Sequence, residues 1–490
     1  MVMSRLRVAV ALIALVIYLA LPTKNYYWDG ISFAQTIEDA QRWPALLHPN
    51  HLVYNVIGHA LYRALGARVR AFYVLQTMNA VFAAVIVYLM FGILQETTKS
   101  EGATLCLAGL FAFSGTWWRF ATDANAYILS VCFLTGCASL LVTSQRTSPI
   151  AVAVLHTCAM LVHQLAVLFF PAALFALWCQ RPEERQQRRM GRILVYAALA
   201  GTLTLATYIA AFVAQNASVN PRAFLVWTTS HATEVALSFH PLNSVAATVQ
   251  SWARLFVAGR ASLVHYSQPT TIVLLALLGS ALILLSVATA RRGFRQRIRI
   301  HHPFLFYFAL AWFAAYFTFL LFWLPRNTFY KLFALPAVIL LIASCWAPGR
   351  DPRMRGPAVP MVTAVAIFNF TFAIIPYSRV TANPALDFAL RLNPVLQSGA
   401  VVYYYEFNSD DWFVRYFNPQ TIWQQAVGPS QIDDDLRAGK LVWLDTTAID
   451  RFTGTEPAWL AQRTAGKEWH ELVNLKHRIR FVRLRLADTH

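Results

Sequence analysis

Acidic side chains are scarce in this chain. Its 490 residues hold 23 Asp and Glu, and charged residues of both signs make up only 13%. A soluble protein carries about 25% charged residues, so an ordinary cytosolic enzyme is excluded. Cysteine is sparse too: Cys106, Cys132, Cys137, Cys158, Cys179 and Cys345 are the only six, and none has C-x-x-C spacing. That excludes a disulfide framework or a cysteine zinc site and leaves small buried hydrophobes. What fills the chain is apolar, with 57% hydrophobic residues and a mean hydropathy of +0.47. The apolar residues fall in long runs, which predicts a polytopic membrane protein.

The formal net charge of +18 is unevenly spread. Residues 377–490 carry 13 basic and 13 acidic side chains, so the whole excess lies in 1–376, where 28 basic residues face 10 acidic ones. Many of these basic residues sit in short segments between apolar runs: Arg5 and Arg7, Arg181 to Arg192, Arg291 to Arg299, Arg350 to Arg355. The positive-inside rule reads such segments as cytoplasmic loops. No recognition motif accompanies them, so nucleic acid is not an expected partner.

Eleven apolar spans are predicted, near 8–21, 71–94, 102–116, 125–143, 149–162, 164–180, 193–215, 270–290, 303–324, 329–346 and 357–376. The stretch His51 to Leu65 carries Asn55, His59 and Arg63 four residues apart, on one helical face. It reads as an amphipathic helix at the membrane surface. The loops at 95–101, 144–148, 181–192, 291–302 and 347–356 are then cytoplasmic. Those at 22–70, 117–124, around 163, 216–269 and 325–328 are external, with the tail. No internal repeat is visible. The tail, 377–490, reads as a small extracytoplasmic α/β domain with strands in 401–405, 440–445 and 478–486. Short helices are expected around Ile432 to Lys440 and in AWLAQRT. The expected domains are therefore 1–376 and 377–490.

Five of the ten acids in 1–376 face outward in this topology: Asp29, Glu38, Asp39, Asp123 and Glu234. Asp29, in NYYWDGISFA, suits either a helix cap or a functional carboxylate, and its position favours function. Glu38 and Asp39 further along suit a solvated face. His48 and His51 flank Pro49 and could bind a metal, donate to a phosphate, or cap. FSGTWWRFATDANAYILS holds Arg119, Asp123 and Asn125; its Arg among aromatics suits an anionic lipid head group. His163 and Gln164, between two apolar helices, suit a cavity. Arg326 and Lys331 bracket a helix start where a phosphate could sit, or snorkel as anchors.

Together WDGISFA, LLHPNHLVYNVIGHALYRALG, FSGTWWRFATDANAYILS, LVHQLAVLFFPAALFAL and YYYEFNSDDWFVRYF resemble the GT-C superfamily of membrane glycosyltransferases. They are most similar to its protein O-mannosyltransferase-like branch. The resemblance implies an all-α polytopic fold of about eleven transmembrane helices with a small α/β extracytoplasmic domain. It implies transfer of a sugar from a polyprenyl-phosphate donor to a protein, lipid or glycan acceptor, with inversion. Asp29 then matches the first-loop general base, and Arg119, Arg326 and Lys331 are candidates to compensate the leaving phosphate. Two positions depart from the family pattern. An acid expected near Asp29 is Ser32 or Phe33, and the second-loop Glu is Asn125, for which Asp123 can substitute. No cofactor is implied with certainty, and a divalent metal stays open. A bacterial inner membrane, with site and tail facing the periplasm, suits this layout. A lipid or glycan flippase and a non-catalytic binding relative are the alternatives.

Overall fold

The computed structural model describes residues 2–144, 147–180, 183–230, 239–292, 299–346, 355–406, 408, 411–466 and 468–486. Glu234 and parts of the Arg-rich segments, among them Arg181, Arg295, Arg297, Arg350 and Arg353, lie outside these residues. The chain divides into two compact units. One joins Met1–Thr23 to Thr36–Pro376, and the other joins Lys24–Gln35 to Tyr377–His490. The segment that carries Asp29 therefore belongs with the tail.

In the first unit all eleven expected spans are helical. Among the described residues five helices are long and apolar enough to cross a membrane: Ala71–Thr98, Gln186–Asn216, Pro269–Ala290, Pro303–Trp323 and Val359–Tyr377. The shorter apolar segments are Glu101–Ala112, Tyr127–Thr143, Pro149–Val162, Gln164–Cys179 and Phe329–Ser344, and Val2–Ala20 opens the chain. All six cysteines are unpaired. Two segments share an unexpected construction. Gln164–Phe169 and Phe329–Ala334 are each six residues of 3-10 helix, followed by the ten-residue α-helices Phe170–Cys179 and Leu335–Ser344. Both α-helices have proline at their second residue, Pro171 and Pro336, where a missing N–H costs nothing. A short matched pair thus exists where the sequence shows no repeat.

Three loop expectations are corrected. The span at 102–116 ends at Ala112, and a new helix, Gly115–Ala121, follows. Gly115 is required there, since a Cβ would lie 2.5 Å from Ala258 Cβ. The Arg-rich loop is already helix from Gln186, because Gln and Arg are good helix formers. Among its described residues the external loop 216–269 holds two α-helices, Pro221–Thr229 and Pro241–Phe256. The second buries Ser244, Ala247, Thr248, Ser251 and Leu255, a face too small and polar to register as a hydrophobic stripe. The surface helix is present as Tyr54–Ala64, but the first part of its polar stripe turns inward while Arg63 is exposed. Asn55 is buried, and His59 Nδ1 meets the Ile37 carbonyl at 3.1 Å.

The tail unit holds a five-stranded mixed sheet of β1 (Val401–Tyr404), β2 (Ile422–Gln425), β3 (Val442–Leu444), β4 (Trp469–Val473) and β5 (Arg478–Arg483). The order is β2-β1-β3-β5-β4, with β1 parallel to β2 and β3 and the β3–β5 and β5–β4 pairs antiparallel. Helices Pro429–Arg437, Thr446–Thr455 and Pro457–Thr464 supply Ile432, Ile449, Phe452 and Leu460 to its core. β2 and β4 escape the sequence reading because neither carries a fully buried residue.

Candidate functional site

Within the membrane unit the short 3-10 segments bring the sequence's polar turns together. Pro49–His51 carries His51, and Gln164–Phe169 starts from His163. The His51 and His163 rings meet edge to face at 4.6 Å, and His48 stacks on His51 at 5.6 Å. Tyr127, Tyr330 and Phe333 surround His163 at 5.2, 5.8 and 5.0 Å. His163 is 1% exposed. Its Nδ1 accepts from the Leu165 N–H at 3.1 Å, so in the neutral ring Nε2 carries the proton. Among the described residues that Nε2–H has no acceptor.

Lys331, next to Tyr330, is fully buried. Its Nζ donates to the carbonyls of Pro325 and Asn327 at 2.9 and 2.7 Å and lies 5.9 Å from the Trp252 ring. Among the described residues it forms no ion pair. The sequence reading missed Trp252. It comes from the unforeseen helix Pro241–Phe256, which is tied down by Ser251 Oγ donating to the Pro325 carbonyl at 2.8 Å. Arg119 is half-buried with its guanidinium 5.5 Å from Phe120, whose ring packs on Phe329 at 5.5 Å. Arg326 is exposed.

Three candidates turn out to serve the backbone. Asn125 caps the helix Tyr127–Thr143: its Oδ1 accepts from the N–H groups of Tyr127 and Ile128, and its Nδ2 donates to the Phe120 and Asp123 carbonyls. Nothing is left over for a substrate. Gln164 Nε2 donates to the Pro49 and Thr228 carbonyls, both at 3.0 Å. Asp123 is fully buried, and its Oδ1 accepts from the Ala124 N–H at 2.9 Å. Glu38 is not a solvated side chain but an ion pair with Arg70 at 2.8 Å that also accepts from the Ala71 N–H at 2.7 Å, capping a long helix. Among the described residues no group of three His, Cys, Asp or Glu is arranged to hold a metal ion.

Asp29 lies in the tail unit, in the first turn of the helix Trp28–Asp39, and is half-buried. An acid there is favoured by the helix dipole. Its neighbour Trp28 meets Trp412 edge-on at 5.6 Å, and Tyr26 stacks on Phe417 at 6.2 Å. Lys24 N donates to the Tyr377 carbonyl at 2.6 Å.

No family model matches the sequence, and no curated protein does. Solved structures do. ArnT from Cupriavidus metallidurans bound to undecaprenyl phosphate superposes with a TM-score of 0.59 at 11% identity, over 98% of this chain and 97% of that one. Its apo form gives 0.55 with the same identity and coverage. An Archaeoglobus fulgidus oligosaccharyltransferase complex with zinc and sulfate gives 0.46 at 13% identity, over 92% of this chain and 69% of that one. With apolar helices in the expected order and a neighbour aligned along almost its whole length, the chain shares the overall fold of ArnT.

Proposed function

We propose that the protein is a membrane glycosyltransferase that takes a sugar from a polyprenyl-phosphate donor and passes it to an acceptor outside the cytoplasm. The observation that carries this reading is Lys331, a buried ammonium whose only hydrogen-bond acceptors among the described residues are two carbonyls. A buried charge is costly unless it is paired, and a lipid phosphate is the partner that suits a membrane unit. The orphaned Nε2–H of His163 supplies a second donor in the same neighbourhood. ArnT, similar in fold, is bound to undecaprenyl phosphate in its crystal structure.

In the proposed reaction the acceptor hydroxyl oxygen attacks the sugar's anomeric carbon. The bond from that carbon to the phosphate oxygen breaks, and the lipid phosphate leaves from the opposite face, inverting the centre. Lys331 stabilises the charge that grows on the leaving phosphate, with Arg119 and Arg326 as further cations. Asp29 takes the hydroxyl proton. A bacterial inner membrane with a periplasmic site, and the protein O-mannosyltransferase-like branch, are parts of the same proposal.

The test is transfer by the purified chain in lipid nanodiscs, offered polyprenyl-phosphate sugars and a mixture of acceptors. Product that is lost in Asp29→Asn supports the reading. Equal transfer by Asp29→Asn would remove the base assignment, and no transfer from any such donor would remove the enzyme reading. The flippase alternative draws on the two proline-opened segments, Gln164–Cys179 and Phe329–Ser344, since broken helices at matching positions mark transport sites. Lipid translocation without product would favour it.

A further inference from the structure

The membrane unit holds a cleft at the end of its helices away from the polar turns. It offers about 380 Å³ of space, within the roughly 300–1,000 Å³ of small-molecule sites. The ends of the helices Ala71–Thr98 and Tyr127–Thr143 and the start of Pro303–Trp323 line it. Asn79 marks the opposite end, where its Nδ2 donates to the Asp123 and Asn125 carbonyls at 2.7 and 2.8 Å. From Asn79 to Glu96 in the cleft the helix is continuous, so the two ends lie about 26 Å apart at roughly 1.5 Å per residue. The proposed transfer site is therefore too far away to use this cleft. The charge pattern of the sequence assigns this face to the cytoplasm.

The lining has an apolar part and a polar rim. Val142, Phe304 and Leu305 supply the first, and His301, His302 and Glu96 the second. His301 is exposed and His302 part-buried, and the N–H groups of both donate to the Ser344 carbonyl, at 2.9 and 3.0 Å. That anchors the histidine pair at the start of the helix Pro303–Trp323, whose first turn no side chain caps. Lys99 and Arg299 nearby in sequence are both exposed. Burial, then the charges of His301 and Lys99, hold His302 below the ordinary histidine range, so these groups crowd one another. Lys99 also pairs with Glu96, but both side chains are more than half exposed, and such a pair is weak in water.

This lining selects among ligand classes. The crowded cationic groups repel a metal ion and call for an anion. A neutral lipid leaves them uncompensated, and a free anion leaves the apolar part empty. An amphiphile with an anionic head satisfies both, and basic pockets between membrane helices at the cytoplasmic side hold such heads. We propose that this cleft binds the phosphate head group of an anionic phospholipid, with His301 and Lys99 as donors to the phosphate. The proposal rests on the chain being a membrane protein and on no step of sugar transfer.

The test purifies the full chain in nanodiscs of phosphatidylcholine doped with phosphatidylglycerol and reads, by native mass spectrometry, which lipid stays bound when the disc is stripped. Wild type should retain phosphatidylglycerol in preference to phosphatidylcholine. The double variant Lys99→Gln with His301→Gln, at two exposed positions, should weaken that preference about tenfold or more, the worth of a hydrogen bond to a charged group. Thr143→Trp keeps every charge but fills the cleft from its exposed edge, and should lose the lipid as well. Arg188→Gln, an exposed residue of another basic segment, should retain it. No preference in wild type, or full retention by the double variant or by Thr143→Trp, would overturn the proposal. So would an equal loss in Arg188→Gln, which would mean diffuse charge attraction. Displacement of the lipid from wild type by millimolar inorganic phosphate would assign the site to a free anion and overturn the lipid assignment.

Discussion

Replacing Lys331 with methionine isolates the charge in the proposed phosphate site. Methionine has nearly the same length and is apolar, so packing in the fully buried position survives. In the unliganded protein two opposing terms nearly cancel. The Pro325 and Asn327 carbonyls lose a donor, at about 1–3 kcal/mol for a stranded group. The protein no longer desolvates an ammonium without an acidic partner, a penalty of several kcal/mol. Stability should therefore change little. Activity should not be spared, since truncating one member of a buried charge pair costs about 2–5 kcal/mol. That corresponds to roughly a 30-fold to few-thousand-fold fall in kcat/KM. The assay pairs donor-dependent transfer with the thermal midpoint of the same nanodisc sample. Wild-type transfer by Lys331→Met would refute the phosphate assignment. So would a loss fully accounted for by unfolded protein.

His163→Phe keeps the ring packing against Tyr127 and Phe333 but deletes the orphaned donor; transfer should fall about tenfold or more, the worth of a hydrogen bond to a charged group, with the fold intact by circular dichroism. Gly259→Ala should lower the thermal midpoint clearly: Gly259 sits at φ +144° and a Cβ would lie 2.3 Å from the Phe372 carbonyl oxygen, a strain of about 1–3 kcal/mol or more. An unchanged midpoint would contradict that packing. Two tail aspartates should respond to pH with opposite signs, read by hydrogen exchange of tail peptides in the full chain. Burial pushes the Asp445 carboxyl up to about 6, so the folded state holds its proton more tightly than the unfolded chain does, and the associated stability fades as pH rises from about 4 through 6. Asp445→Asn, which keeps the acceptor for the Ala448 N–H, should flatten that slope. The forked hydrogen bonds from Arg463 hold Asp433 below the ordinary carboxylate range, so its contribution is present at neutral pH and lost on acidification; Asp433→Asn should cost about 1–3 kcal/mol at pH 7.

The sequence alone determined the membrane class, the eleven helical segments and the mixed tail. These follow from local composition: a run of apolar residues is legible wherever it sits, and so are the β-branched and aromatic strands β1, β3 and β5. It also supplied the polar turns that meet in the fold, with His48, His51, His163 and Lys331 each visible as a polar exception beside apolar spans. Only the tertiary structure decided which exceptions have work left to do. Asn125 and Gln164 look like ligands in a sequence, but their hydrogen-bonding capacity goes to backbone groups, and that partner choice is made across 2 to more than 100 residues of chain; Glu38 looks solvated, but it pairs with Arg70. Trp252 was invisible because its helix buries Ser, Ala and Thr, which give no hydrophobic period. Asp29 keeps its place as the proposed base, but its compact unit is the tail's. Pairings between residues hundreds of positions apart depend on packing geometry, and no local pattern encodes them.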